Sequence, residues 1–338
     1  MMKPGAKPSG PSERPTMEMV AGLAGVSKIT VSRALRGSDL VRPEVRERIV
    51  RIAGEVGYRM NVAARSLRTR RTQTIAVVIE QLTRDDRPIA DPLLLTMIGG
   101  LLEVLTPADH AMLLTTHDHF LQSNAIGADG VVVLGQGEGG RSLAQVERFG
   151  LPLVAWGEPV PGLNVAVIGS DNRQGGRLAA EHLVAAGRKR LLFLGDAQHP
   201  EVAGRLEGVR EVLAASEASL AGVIPCAFSI ESGAQAVQVA LDAGTPFDAI
   251  IAVSDFIAAG ACDTLAARGI AIPGAIAIVG FDDTPIASTH RPSISSVRQD
   301  ATAAGRALGI ALLAMIDGAS AAPTTPLPVA LIVRESSR

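Results

Sequence analysis

The order of apolar and polar residues divides the chain into a short helical head and a longer body. In the head, apolar residues recur every three or four positions, which predicts helices at residues 17–24, 28–35 and 43–56. From residue 74 onward, continuous apolar runs alternate with helical stretches. These runs predict strands buried on both faces, at residues 74–79, 112–116, 130–134, 153–156, 164–168, 190–194, 250–253 and 276–280.

Helices are predicted between these strands, at residues 93–105, 176–186, 205–215 and 257–268. Strands that alternate with helices are typical of parallel sheets covered on both faces. The body is too long for one ordinary unit of this kind, so the pattern predicts two doubly wound parallel-sheet lobes.

The first two head helices carry strong boundary signals. Thr16 is a good N-cap for the first helix, and Gly25 can adopt the positive φ that ends it. Ser27 is a good N-cap for the second helix, in which Val31 and Ala34 face inward. Two helices joined by a tight glycine turn form a helix-turn-helix, whose second helix reads the major groove of DNA.

The second helix then presents a polar face suited to DNA. Lys28 can donate to guanine or phosphate, and Ile29 can touch a thymine methyl group. Thr30, Ser32 and Arg33 suit contacts with phosphates or bases. The alternative is an ordinary helical hairpin with a solvated polar face.

Charge is divided in the same way as the hydrophobic pattern. Residues 1–72 contain fifteen Lys and Arg against six Asp and Glu, a formal charge of +9. The remaining 266 residues contain seventeen against twenty-eight, or −11. A basic head on an acidic body indicates that the head meets a polyanion.

Four segments of the head resemble the DNA-binding domain and hinge of the lactose/galactose-repressor (LacI/GalR) family. They read AGVSKITVSRAL, VRPEVRERI, GYRMN and ARSLR, in matching order and spacing. The resemblance implies a hinge helix that folds on operator DNA, with Leu67 as a wedge in the minor groove. The residues expected to contact DNA are Thr16, Ser27, Lys28, Ile29, Thr30, Ser32, Arg33, Asn61, Arg65 and Leu67.

The body resembles the effector domain of the same family, which is similar to periplasmic sugar-binding proteins. The segments that carry the likeness are SDNRQGGRLAAEHL, RLEGVR, IPGAIAIVGFDDTP and RPSISSVRQD. The resemblance implies a ligand cleft between the lobes, bounded by Gln174, Arg205, Ser254 and Asp282. Residues 83–93 depart from the family pattern, since they are charged and lack an aromatic residue, and Ser254 replaces the usual Asn.

The resemblance implies a homodimeric transcriptional regulator, most simply a repressor, controlled by a sugar or sugar acid. The recognition turn is most similar to the gluconate-repressor branch, with Arg205 as a partner for a carboxylate. The expected boundaries are a disordered tail at 1–15, a DNA-binding domain at 16–60, a hinge at 61–72 and an effector-binding and dimerisation domain at 73–338. Chain crossings between the lobes are expected near 170–187, 296–300 and 320–326.

Other motifs are weaker. Residues 135–140 satisfy GxGxxG after a strand, but in the third strand of a lobe a flexible glycine loop is the better interpretation. His117 and His119 lack a third metal ligand, so neither a metal nor a cofactor is expected. Aromatic residues make up only 3% of the chain, which argues against large aromatic cages.

Two other classes of protein remain open at this point. An α/β enzyme on the same scaffold would need a catalytic pair, and none can be assigned. A binding protein for a transporter would need a signal peptide, and the first residues show no apolar segment of that kind. Two cysteines without a CxxC pair fit a reducing cytoplasm, and no apolar run is long enough for a membrane helix.

Overall fold

The computed structural model describes residues 15–35, 37–58, 71–80, 90–123, 127–320 and 326–338. The chain divides after Thr72 into two compact units, the head and the body. Neither unit contains, within these residues, a helix with the length and apolar character needed to cross a membrane.

The head consists of three helices around one small core. Helices α1 (Met17–Ala24), α2 (Lys28–Ala34) and α3 (Pro43–Glu55) bury Val20, Val31 and Ile49 against one another. The apolar residues that recur at helical spacing in the sequence therefore form the core of the head.

The body contains two sheets, each of which defines a lobe. The first lobe comprises β1 (Thr74–Ile79), α4 (Pro92–Leu105), β2 (Ala111–Thr116), α5 (His117–Gln122), β3 (Gly130–Leu134), α6 (Arg141–Glu147), β4 (Leu153–Trp156) and β5 (Ala166–Ile168). Its strands are all parallel, in the order β2-β1-β3-β4-β5. Alternate residues of β1 pack on opposite faces, with Val77 towards α4 and Val78 towards α5 and α6.

The second lobe comprises α7 (Asn172–Ala185), β6 (Arg190–Leu194), α8 (Pro200–Ala214), β7 (Ser219–Ile224), α9 (Ile230–Asp242), β8 (Ala249–Ala252), α10 (Asp255–Ala267), β9 (Ala277–Asp282), α11 (Pro285–Thr289), β10 (Ser295–Gln299) and β11 (Val329–Ile332). Its sheet has the order β11-β10-β9-β8-β6-β7, and only β11 is antiparallel to its neighbour. The expected fold class, a helical head with two parallel-sheet lobes, is confirmed.

The chain passes between the lobes more than once. It leaves the first sheet after β5 and enters the second lobe at α7. Helix α12 (Ala301–Ile316) follows β10, yet its Ala304, Leu308 and Leu312 pack in the core of the first lobe. The chain then returns through a bridge between Leu327 and Ser170 to form β11. The second lobe is thus built from two separate parts of the sequence.

Several helices begin earlier than the apolar pattern predicts. Helix α7 begins at Asn172 rather than 176, because Asp171 caps it by accepting from the backbone N–H of Gln174. Helix α8 begins at Pro200 rather than 205, because proline fits the first helical turn. In both cases polar first turns hide the start of the helix from an apolar pattern.

Candidate functional site

The first candidate site is the α1–α2 unit of the head, which is fixed by its caps. The Thr16 side chain accepts from the N–H of Met19 at 3.2 Å, and the Ser27 side chain accepts from that of Thr30 at 3.1 Å. Gly25 ends α1 in the left-handed conformation, with φ of 65°. The sequence signals for helix, glycine turn and helix thus correspond to observed contacts.

The exposed face of α2 carries the residues expected to meet DNA. Lys28, Ile29 and Arg33 are exposed, and Ile29 is 65% accessible although it is apolar. Thr30 and Ser32 are half-buried beside them. An exposed isoleucine among polar groups suits contact with a thymine methyl group. The expected hinge contacts, Asn61, Arg65 and Leu67, lie outside the described residues.

One of these side chains already has a partner. The ammonium group of Lys28 contacts the carboxylate of Glu18 on α1, and both side chains are more than half exposed. An exposed ion pair of this kind contributes little stability, so the ammonium can exchange Glu18 for a phosphate at small cost.

The second candidate site is the cleft between the two lobes of the body. The first lobe contributes residues that follow its strands, and the second contributes residues from α7, α8 and nearby segments. Ligands in doubly wound folds bind beyond the carboxyl ends of the strands, which is where these side chains meet. The lining includes Glu80, Leu93, Leu94, Gly135, Gln136, Trp156, Ser170, Asn172, His199, Glu201, Arg205, Phe228 and Gln299.

Arg205 lies at the base of the cleft and is only 4% exposed. Its Nε donates to Oδ1 of Asn172 at 2.9 Å, and its Nη1 donates to the carbonyl of Val253 at 2.6 Å. The guanidinium carbon lies 3.6 Å from the centre of the Phe281 ring. A buried guanidinium needs such partners, and they hold it rigidly for a ligand.

Glu158, in the loop after β4, lies beside the cleft. Its carboxylate accepts from Nδ2 of Asn172 at 2.7 Å, a contact between the lobes. Its backbone N–H and carbonyl are both bound by the side chain of Gln136, at 3.0 and 2.7 Å. Burial raises the pKa of the Glu158 carboxyl, and the nearby Glu201 raises it further.

The glycine-rich segment after β3 has a packing role. A Cβ on Gly135 would lie 2.7 Å from Cβ of Glu80, and one on Gly137 would lie 2.6 Å from the Ser142 hydroxyl. That hydroxyl donates to Oε1 of Glu80 at 2.6 Å. The glycines thus make room for a carboxylate, whereas a dinucleotide site would present backbone N–H groups to a phosphate.

Aromatic side chains line the cleft in spite of their scarcity in the sequence. Trp156, at the end of β4, is the only tryptophan of the chain. Across the cleft, His199 and Phe228 meet edge to face with ring centres 5.8 Å apart. The low aromatic content argued against large aromatic cages, yet Trp156, His199 and Phe228 all lie at the cleft.

The other expected effector residues lie in different surroundings. Asp282 is buried next to the cleft, where its Oδ1 accepts from Nε2 of Gln299 at 2.5 Å. Ser254 is buried and caps α10 by accepting from the N–H of Ile257 at 3.3 Å. Gln174 is exposed on α7. Of the four expected residues, Arg205 lines the cleft directly, and Asp282 borders it through Gln299.

Several lining residues escaped the sequence reasoning, among them Glu80, Gln136, Trp156 and Phe228. The available signal was position, because Glu80, Gln136 and Trp156 lie at the end of an apolar strand or within two residues of it. His117 and His119 lie in the first turn of α5, which begins directly after β2. The described residues hold no group of three potential metal ligands around them.

A helix-turn-helix head joined to a two-lobed body with a polar and aromatic cleft defines a class, the ligand-responsive DNA-binding regulators. Residues 16–61 match the family model for bacterial regulatory proteins of the lacI family, and residues 180–337 match a periplasmic binding protein-like domain. The regulator CelR of Thermobifida fusca is 35% identical over 337 residues, which cover 96% of this chain and 98% of that protein. The chain belongs to the LacI family and is a DNA-binding transcriptional regulator.

Other relatives agree with this assignment. The regulator GntR of Pseudomonas aeruginosa is 30% identical over 317 residues, 90% of each chain. A structure of a CelR–cellobiose complex matches with a TM-score of 0.71 and 32% identity, over 96% of this chain and 100% of that one. The lac repressor dimer bound to operator and the anti-inducer ONPF has a TM-score of 0.84, covers 96% and 99% of the two chains, and at 22% identity supports the fold.

Proposed function

We propose that this protein is a repressor that binds operator DNA as a homodimer and changes its affinity for the operator when a saccharide occupies the cleft. The observation that carries the proposal is the capped α1–α2 unit with its exposed Lys28, Ile29 and Arg33. In a helix-turn-helix unit, the second helix lies in the major groove and its N-terminal residues contact base edges.

The cleft is suited to a saccharide. Sugar hydroxyls need both donors and acceptors, which Arg205, Asn172 and the carboxylate of Glu201 supply. The aromatic faces of Trp156 and Phe228 suit the apolar C–H surface of a sugar ring. The related CelR has been solved with cellobiose, which makes a glucose-containing disaccharide the first ligand to test.

The charge of the cleft favours a neutral sugar over the sugar acid that the sequence resemblance implies. Glu80 and Glu201 line the cleft, and Glu158 lies beside it in contact with the lining residue Asn172, so an acid would meet negative charges. Arg205 is the one arginine in the lining among the described residues, and two of its donors are engaged by protein oxygens. We therefore propose that cellobiose or a similar neutral saccharide binds more tightly than gluconate.

A second copy of the chain is the proposed partner for an exposed apolar face of the first lobe. Leu95 and Leu102 on α4 and Leu113 and Leu114 on the edge strand β2 are all about two-fifths to half exposed. An uncovered apolar edge strand invites association. The lac repressor, whose fold this chain shares, was solved as a dimer, which makes a second copy the first partner to test at this face.

The central test is a fluorescence-anisotropy titration of a labelled duplex from the protein's own promoter region. We expect the protein to bind the duplex at low salt, with an affinity that cellobiose changes and gluconate leaves nearly unchanged. Ribose serves as a second neutral sugar.

Absence of any complex with the duplex at low salt would refute the regulator proposal. A change in duplex affinity with gluconate alone would refute the neutral-sugar proposal.

The dimer and the hinge have separate tests. Leu102→Glu combined with Leu114→Glu is expected to give monomers in sedimentation velocity, whereas Val239→Glu, on the second lobe, is the matched exposed control.

Leu67→Ala, in the hinge, is expected to weaken operator binding and leave saccharide binding intact. Equal loss of both activities would contradict a minor-groove wedge.

A further inference from the structure

A strained turn lies directly beside the cleft, at the end of β9. Asp282 has φ of 101° and Asp283 has φ of 55°, both in the region that L-amino acids rarely adopt. Two such residues in succession persist only when the surrounding contacts fix them. The turn borders the cleft, because Asp282 accepts from Gln299, which lines the cleft.

The contacts that fix the turn converge on one buried carboxylate. Asp255, the first residue of α10, is 1% exposed. Its Oδ2 accepts from the backbone N–H of Thr284 at 2.7 Å and from the Thr284 hydroxyl at 2.9 Å. Its Oδ1 accepts from the Ser296 hydroxyl at 2.6 Å, which itself accepts from the N–H of Asp283 at 3.0 Å.

The fold leaves space for this carboxylate where a side chain would otherwise be. A Cβ on Gly280 would lie 2.6 Å from Oδ1 of Asp255. The outer side of the turn is held separately, since Arg298 and Arg334 both donate to the carboxylate of Asp283. Asp255 therefore fixes the turn from within the lobe, while the arginines fix it from the other side.

We propose that Asp255 is a positioning residue of the effector site, which holds the turn at 282–284 so that Asp282 keeps Gln299 in place at the cleft. Asp255 does not line the cleft, and its effect on a ligand passes through the turn. This inference rests on the proposed function of the cleft as a saccharide site. It assigns a carboxylate outside the cleft to effector affinity rather than to DNA binding.

The variants are Asp255→Asn and Ser296→Ala. Asp255→Asn replaces one carboxylate oxygen by an NH₂ group, which cannot accept the hydrogen bonds that Asp255 accepts from Thr284 and Ser296. Ser296→Ala removes the hydroxyl that joins Asp255 to Asp283. Asp263→Asn is the matched control, because Asp263 lies on the same helix, is exposed, and contacts His290 rather than the turn. All three are made in the full chain.

We expect Asp255→Asn and Ser296→Ala each to weaken cellobiose binding about tenfold in calorimetry. Operator affinity without sugar stays within about twofold, since a single hydrogen bond in the body leaves the head unchanged. The double variant loses less than the two single losses combined, because both act through one turn. Asp263→Asn binds like the natural chain.

Hydrogen exchange gives a readout that does not depend on the sugar. In Asp255→Asn, faster exchange confined to the peptide that contains residues 281–288 supports the proposal. Unchanged exchange there overturns it, as does undiminished cellobiose affinity in both variants. A parallel loss of sugar binding, operator binding and melting temperature also overturns it, since that result assigns Asp255 to general stability. If the natural chain binds no saccharide, the proposed function fails, and the exchange result still decides the role of Asp255.

Discussion

Glu158 combines a half-buried carboxylate with a contact to Asn172, which lines the cleft. Burial comes first among the causes that raise its pKa, and the hydrogen bond from Asn172 offsets part of that effect. The same carboxylate joins the first lobe to Asn172 on the second. Its ionisation is therefore coupled to the contact between the lobes.

The pH dependence of stability tests this assignment. A carboxyl whose folded pKa is raised favours folding in its protonated form, so its contribution is present at acid pH and is lost as pH rises through the folded value. We expect the natural chain to lose melting temperature relative to Glu158→Gln as pH increases above the ordinary glutamate pKa of about 4.3. Gln retains the oxygen that accepts from Asn172. A difference in melting temperature that is constant from pH 4 to 7 would contradict the assignment.

The two thiols give a second prediction at this scale. Burial raises the pKa of both Cys226 and Cys262 to about 12, with nearby aspartates adding to the effect. Because the thiolate is the reactive form, both cysteines should resist iodoacetamide at pH 8 in the native protein. Mass spectrometry should find them labelled together only in denaturant. Rapid labelling of the native chain would refute this prediction.

Individual residues show what a sequence reveals about a site. Arg205 was expected in the cleft from the motif around it and lines the cleft in the structure. Ser254 and Gln174 were expected there too, but a serine before a helix is a natural cap and position 174 is on the exposed side of α7. Trp156 and Glu158 carry no motif, and only the folding of two sheets brings them opposite Arg205.

At the scale of elements, close helix pairs organise the body. In each of three pairs, glycines on both helices face the partner's backbone, and a Cβ at any of them would overlap a carbonyl oxygen of the other helix. Close backbone approach of this kind requires glycine. The pairs are α4 with α12 through Gly100 and Gly305, α7 with α8 through Gly176 and Gly208, and α9 with α10 through Gly233 and Gly260.

The pairing predicts a large effect of a small change. Gly260→Ala would drive a methyl group into the backbone of α9 at Ile230, so we expect a loss of about 1–3 kcal/mol in the free energy of unfolding by urea. Gly54→Ala is the control, because its Cβ would meet open space on an exposed helix of the head. There, alanine is expected to favour the helix by about 0.5–1 kcal/mol. Equal effects of the two substitutions would rule out the packing argument.

The strands were easier to predict than these pairs. Residues 130–134, 153–156 and 190–194 were predicted as strands from unbroken apolar runs, and the structure has the same bounds. Strand β10, by contrast, reads SSVRQ, and its two serines and Gln299 are buried, with specific hydrogen bonds such as that between Ser296 and Asp255. A local apolar pattern cannot reveal a strand whose burial depends on partners that are distant in sequence.

At the scale of the whole molecule, the separation of charge is the property with the clearest consequence. The head carries +9 and the body −11, so the chain has a net charge of only −2. A polyanion attracts the head and repels the body, which favours one mode of attachment to DNA. This preference follows from the sequence alone and needs no base contact.

Salt dependence of operator binding measures this preference. Each phosphate contact releases counterions, so the logarithm of the association constant should fall linearly with the logarithm of salt concentration. Arg33→Ala should reduce the magnitude of that slope by about one if its guanidinium binds a phosphate. Arg210→Ala, on the exposed surface of α8 in the acidic body, should leave the slope unchanged. Equal slopes for both variants and the natural chain would mean that Arg33 contacts a base or contacts no DNA. Affinity measured on a scrambled duplex separates these two outcomes, because loss of a base contact lowers affinity only on the specific site.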